Sequence, residues 1–164
     1  MKFSFTPASQ EMLPELLGLC RRAAQAPGSH WDDQYPSLEI LQSDLRQQAL
    51  YRIDTPEEAP MGLISMGRIG EQNDLPWPDE EALACEMSRF GLDPAYQGQG
   101  LGGVIFLAAA RHCFAQGFGS IRFLVCTQDQ RLRRLYARCG AQHIGHQFLY
   151  GLDFEQYLLT PQSL

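Results

Sequence analysis

Phe3 and Phe5 alternate with Lys2, Ser4 and Thr6, the two-residue period of a half-buried strand. The period then lengthens. Met12, Leu13, Leu16, Leu17, Leu19 and Cys20 fall on one side of a helix that opens between Thr6 and Ser9 and runs to about Gln25. Pro14 is tolerated only in a first turn, which draws that start toward Leu13. Ala26-Pro27-Gly28-Ser29 ends the helix. Leu38, Leu41 and Leu45 give a second helix one buried face over 37–48. Strands follow at 49–53, 61–69 and 82–92, separated by a hairpin loop (54–60) and a loop over 71–80 containing Pro76-Trp77-Pro78. A helix over 100–116, capped by Gly117, is apolar almost all round and so packs against a sheet. A strand at 121–125, a helix at 130–139 ending at Gly140, and two strands within 141–159 complete the order β-α-α-β-β-β-α-β-α-β-β. The crossover through the 100–116 helix predicts parallel strands on either side of it. The fold class is therefore α/β, a mixed sheet with helices on both faces.

Composition narrows the function classes. The 164 residues show no repeat and no linker, so one domain over 1–164 is expected. A net charge of −6 without a basic stripe argues against nucleic acid as a partner. Arg131, Arg133, Arg134 and Arg138 crowd one predicted helix and read first as a solvated face. Five scattered cysteines without a C-x-x-C suit buried thiols in a cytoplasmic protein. No apolar run is long enough for a membrane span, and the first residues are too short a run for a signal peptide.

The chemistry concentrates in Asp93-Pro94-Ala95-Tyr96-Gln97-Gly98-Gln99-Gly100-Leu101-Gly102-Gly103, between a predicted strand and a predicted helix. Glycines there leave bare backbone N–H groups at the positive end of a helix, which suits a phosphate or diphosphate. Gly98-x-Gly100-x-x-Gly103 satisfies the dinucleotide fingerprint. Its context does not: the next strand ends in Cys126-Thr127 without an acid, and only about 60 residues follow, too few for the rest of a doubly wound sheet.

Gln97-x-x-Gly100-x-Gly102 instead resembles the pyrophosphate loop of the GNAT (GCN5-related) N-acetyltransferases. Arg89-Phe90-Gly91-Leu92-Asp93-Pro94 is similar to that family's fourth strand and following turn, and Leu135-Tyr136-Ala137-Arg138-Cys139-Gly140 to its later helix. Trp31-Asp32-Asp33-Gln34-Tyr35-Pro36 resembles the segment between the first two helices. The resemblance is strongest over 86–145. Two departures stand out: Asp129 where the family often has Asn, and Ala141 where it usually has Phe.

The resemblance implies a GNAT-like, mostly antiparallel sheet with a central, splayed parallel pair. It implies acetyl-CoA as co-substrate and coenzyme A as product. Gln97, Gly98, Gln99, Gly100, Leu101 and Gly102 would hold the diphosphate, with Phe90, Gly91 and Leu92 along the pantetheine arm and Asp129 and Tyr136 beside it. The arginine cluster acquires a sharper reading as a partner for the 3′-phosphate. Dimerisation is common in that family, so a homodimer is compatible with it. Tyr136 would protonate the departing thiolate, since a phenol donates a proton at suitable reach. The oxyanion would sit near the N–H of Leu92, beside a bulge that Gly91 suits.

Glu86 is the leading candidate base: strand alternation puts it on the face of Ser88 and Phe90, and burial would raise its pKa. His30, His112, His143 and His146 are the other candidates, and a water serves in many members. Trp31, Tyr35 and Trp77, with Asp32, are expected to line an acceptor pocket suited to a small-molecule amine or a peptide amine. The expected activity is acetyl transfer to a primary amine by direct attack, without a metal. A non-catalytic acyl-CoA sensor on the same fold and a dinucleotide oxidoreductase are the alternatives.

Overall fold

The computed structural model describes residues 1–79 and 83–164. Its strands are β1 (Ser4–Pro7), β2 (Leu50–Asp54), β3 (Pro60–Gly67), β4 (Ala84–Leu92), β5 (Ser120–Cys126), β6 (Gln142–Leu149) and β7 (Leu152–Leu159). The longer helices are α1 (Leu13–Ala23), α2 (Leu38–Arg46), α3 (Leu101–Ala115) and α4 (Gln130–Arg138). The order matches the one read from periodicity. The helix start at Leu13 puts Pro14 in the first turn, where its missing N–H costs nothing. The expected strand start at Ala82 and the loop end at Glu80 lie outside the described residues.

All seven strands form one sheet in the order β1-β2-β3-β4-β5-β7-β6. Among the described pairings only β4–β5 is parallel. A doubly wound parallel sheet, and with it the dinucleotide fold, is ruled out by this topology.

Each face carries its own core. On one, Leu13, Leu16, Leu19 and Cys20 of α1 and Leu41 of α2 pack on Leu50 and Leu63. On the other, Ile105, Phe106, Ala109, Ala110 and Cys113 of α3 pack on Ile64, Cys85, Met87, Ile121 and Phe123. Burial of each large aliphatic side chain contributes roughly 1.5–3 kcal/mol. All five cysteines are free and buried, and burial pushes the Cys20 thiol up to about 12.

Two irregularities in β4 position the site. First, it pairs with β5 only from Ala84 to Glu86, opposite Ser120 to Arg122. Beyond that point β4 stays with β3 and β5 stays with β7, so the parallel pair splays. Second, Leu63 faces Gly91 while Ser65 faces Ser88, so two residues of β4 oppose one of β3. That bulge holds Arg89 at a φ of 49°.

Candidate active site

The chain leaves β4 through a short 3₁₀ turn, Pro94–Tyr96, whose cap is the Asp93 carboxylate accepting from the N–H of Ala95. Asp93 also pairs with Arg22 of α1 at 2.7 Å. The glycine turn follows. Gly98 and Gly100 have φ of 72° and 73°, conformations that strain any other residue, and a Cβ at either would meet nothing within 4 Å. Empty space beside left-handed backbone at the N-terminus of α3 leaves that backbone open to an anion. The Gln97 side chain donates to the carbonyl of Leu92 at 2.8 Å, and the Gln99 side chain to that of Ala95 at 2.8 Å. Both glutamines thus brace the turn with their side chains. Gly102 and Gly103 let Leu135 of α4 close on the first turn of α3.

Three cavities meet beyond this turn. A cleft of about 190 Å³ runs along it, lined by Phe90, Gly91, Leu92, Gln97, Gly98, Gly100, Leu101, Gly102 and Asp129. A small cavity of about 60 Å³ fills the splay, walled by Met87, Ser88 and Phe90 on β4, Phe123 to Cys126 on β5, and Tyr136. A larger one of about 490 Å³ lies under the β6–β7 hairpin, with Asp32, Tyr35, Glu71, Gln72, Arg89 and Phe154 among its walls. Trp31, Phe90 and Leu132 wall both of the first two, and Ser88 and Leu124 both of the last two. His30 lines all three.

Tyr136 is buried on α4, its ring against Phe106 (centroids 4.6 Å apart) and Phe123 (4.8 Å). Burial pushes its phenol above the ordinary tyrosine range, with Cys139 and Asp129 adding to the shift. Asp129 caps α4, accepting from the N–H of Leu132 at 3.2 Å, and Arg131 stands 3.7 Å from the same carboxylate at the cleft wall. Asp129 therefore has a local reason to be acidic that needs no ligand.

Gly91 does not supply the bulge, which falls one residue earlier at Arg89 and Phe90. It gives room to Trp31: a Cβ at Gly91 would lie 2.5 Å from the indole ring. Gly91→Ala is expected to displace Trp31 and lower stability by about 1–3 kcal/mol; melting curves of the two proteins measure the loss.

Gln99 lines none of these cavities, and Glu86 and Trp77 are not brought to them either. Glu86 is buried and its carboxylate accepts from the N–H groups of Gln72 (2.7 Å) and Glu71 (3.2 Å). Burial raises its pKa, as expected, against the lowering effect of the Gln72 bond. It opens, however, on a separate hollow with Arg68, Asn73 and Arg122. Glu86 lies where β4 still pairs with β5, opposite Arg122 and short of the splay, and the bulge further on flips the face of everything beyond it. Phe90 therefore packs with the Met87 core and not on the side of Glu86. Trp77 is buried, its indole N–H donating to the carbonyl of Gln72 at 2.9 Å with Arg122 over its ring. It anchors the 71–79 loop and lines none of the three cavities.

Leu92 lines the cleft along the turn and not the splay cavity. His112 packs edge-on against Tyr51. Glu155 and Asp153 face His143 and His146 across the β6–β7 pair, partners that spacing along the chain did not reveal. Among the described residues no group of three or more metal-ligating side chains forms, and no helix is long and apolar enough to cross a membrane.

The sequence reading missed an ion-pair network. The Arg89 guanidinium binds Asp44 of α2 through Nε (2.5 Å) and Nη2 (2.6 Å) and reaches Glu71 at 3.2 Å. Ser65 donates to the same Asp44 at 2.5 Å. Burial alone would lower the pKa of Arg89, but the bonds to Asp44 hold it above the ordinary range. The signal was present: Asp44 sits between Leu41 and Leu45, inside the apolar side of its helix.

A sequence model of the acetyltransferase (GNAT) family matches residues 15–141. No curated protein matches the sequence. Among solved structures, the fold is similar to a spermidine N-acetyltransferase chimera built from Vibrio cholerae SpeG and hSSAT, with a TM-score of 0.74 and 16% identity over 98% of this chain and 96% of that one. It is also similar to an N-acetyltransferase from Staphylococcus aureus (TM-score 0.68, 16% identity, 98% and 99% covered). A third is an Acinetobacter baylyi protein described as an acetyltransferase (TM-score 0.71, 17% identity, 97% and 93% covered).

Proposed function

Because the chain belongs to the GNAT acetyltransferase family, we propose that it moves an acetyl group from acetyl-CoA to a primary amine by direct attack on the thioester. One observation carries the reading: the cleft along the glycine turn and the splay cavity beside Tyr136 share Trp31, Phe90 and Leu132 as walls. A phosphate held at the turn and an acyl group in the splay are then ends of one elongated ligand.

The open backbone of Gly98 to Gly102 holds the diphosphate, braced by Gln97 and Gln99. Phe90 and Leu92 flank the pantetheine arm. Tyr136 delivers the proton to the departing sulfur. The larger cavity takes the acceptor. Asp32 stays ionised, because the N–H groups of Gln34 and Tyr35 hold its carboxyl below the usual range, and Glu71 adds a second carboxylate. Acids beside Tyr35 and Phe154 favour a cationic amine, a preference that the spermidine acetyltransferase among similar structures also supports.

A thermal-shift series tests the cofactor. Acetyl-CoA at about 100 times its Kd stabilises by about 2.7 kcal/mol, a rise of about 5–10 °C for a chain of this size. NADH and NADPH are expected to give none. Thiol release across an amine panel including spermidine, amino acids and a peptide N-terminus then reads turnover. The protein's own thiols are all buried, which keeps the background low. Binding without turnover would instead identify an acyl-CoA sensor, which shares the fold but not the chemistry.

A further inference from the structure

Among the described residues, His30 alone lines all three cavities. It precedes Trp31 in the segment between α1 and α2, and it lines the turn-side cleft, the splay cavity and the acceptor cavity. A group that takes a proton from an attacking amine has to touch both the acyl compartment and the amine compartment, within reach of the nitrogen as it bonds to carbon. Ser88 and Leu124 also border both compartments, but neither is a base. Glu86, the carboxylate favoured by strand alternation, borders neither.

We propose that His30 is the general base of the acetyl transfer, accepting the proton of the acceptor amine at the mouth of the splay. The assignment rests on the acetyl-transfer reading above. The ammonium form first gives up one proton to solvent. As the neutral amine nitrogen then bonds to the thioester carbon, the carbonyl electron pair moves onto oxygen and the nitrogen passes a second proton to the imidazole. The oxyanion then collapses, the carbon–sulfur bond breaks, and the thiolate takes the Tyr136 proton. His30 afterwards releases its proton to solvent and Tyr136 recovers one, leaving an amide and free coenzyme A.

The surroundings suit that role. The His30 ring is held between Tyr35 (centroids 6.0 Å apart) and the edge of Phe154 (6.1 Å). Burial lowers its pKa below the ordinary imidazole value, while Asp129 and Asp32 act in the opposite direction. Other charged or titratable groups on the same cavities are Tyr96 from the 3₁₀ turn, Arg131 and Tyr136 from α4, Cys126 from β5, Arg89 from β4, Glu71 from its loop and Tyr150 from the hairpin. A depressed pKa leaves the imidazole neutral at pH 7, ready to accept. Activity in the native protein is thus full above that pKa and falls as pH drops through it, with the limb below about 6.5.

The experiment compares the native protein with His30→Gln and His30→Ala on the best amine of the panel. The expected result is a fall in kcat of about 10²-fold in both variants, acetyl-CoA affinity within about threefold, and loss of the acid limb from the kcat/KM profile. If native turnover is present and His30→Gln keeps its rate or its acid limb, the base assignment fails while acetyl transfer stands. If the variants lose acetyl-CoA binding but keep the acid limb, His30 is a packing residue and the proposal is again overturned. No turnover by the native protein on any amine removes the acetyl-transfer reading, and this proposal with it.

Discussion

Tyr136→Phe is expected to lower kcat by about 10²–10³-fold and to leave acetyl-CoA affinity within about twofold. The substitution removes one oxygen and keeps the ring, so the contacts with Phe106 and Phe123 persist and the α3–α4 packing is unchanged. Because the ring lines the splay cavity and not the turn-side cleft, the loss falls on turnover and not on binding. The pH profile adds a check with a definite sign. Burial raises the phenol above its ordinary value of about 10, so Tyr136 keeps its proton throughout neutral and mildly alkaline pH. No alkaline limb below about pH 10 arises from it. A phenol held this high is a reluctant acid toward a thiolate in water, but a thiolate leaving inside the splay would be desolvated as well, and its proton affinity would rise in step. Steady-state rates and calorimetric binding on the two proteins settle the matter: equal turnover would remove Tyr136 from the mechanism.

Local features were legible in the chain, and features that join distant segments were not. The glycine turn declares itself because left-handed backbone and empty side-chain space are properties of a few consecutive residues. Tyr136 was singled out by the short motif ending at Gly140, and the fold places it on the splay cavity. The parallel pair followed from the crossover through α3. By contrast, nothing in the 141–159 stretch reveals that β7 inserts between β5 and β6. Glu86 shows where the pattern misleads. Alternation is a parity argument, and parity survives only until the strand gains a residue. The bulge at Arg89 and Phe90 reverses it between Glu86 and Phe90. Trp77 was an aromatic in a loop, equally able to line a pocket or to anchor one; the carbonyl of Gln72 decides for anchoring. His30 was one of four histidines until three walls converged on it.

Arg89→Leu is expected to cost about 3–5 kcal/mol, because removing one partner of a buried ion pair strands the other. The Arg89 and Asp44 side chains are 2% and 1% exposed, so water cannot replace the lost guanidinium. At 2–4 °C per kcal/mol for a chain of this length, the melting temperature falls by about 6–20 °C. The loss reaches function through geometry. Arg89 sits in the bulge of β4, and its bonds fasten that bulge to α2 and to the loop carrying Glu71. With the tie cut, the Glu71 wall of the larger cavity loses its anchor, so KM for the amine is expected to rise more than KM for acetyl-CoA. Arg89→Lys separates charge from shape. It keeps one positive charge but cannot bond Asp44 through two nitrogens and Glu71 as well, so it is expected to recover about half of the lost stability. Should Arg89→Leu melt within 2 °C of the native protein, the pair does not hold the bulge, and the acceptor cavity owes its shape to the hydrophobic contacts alone.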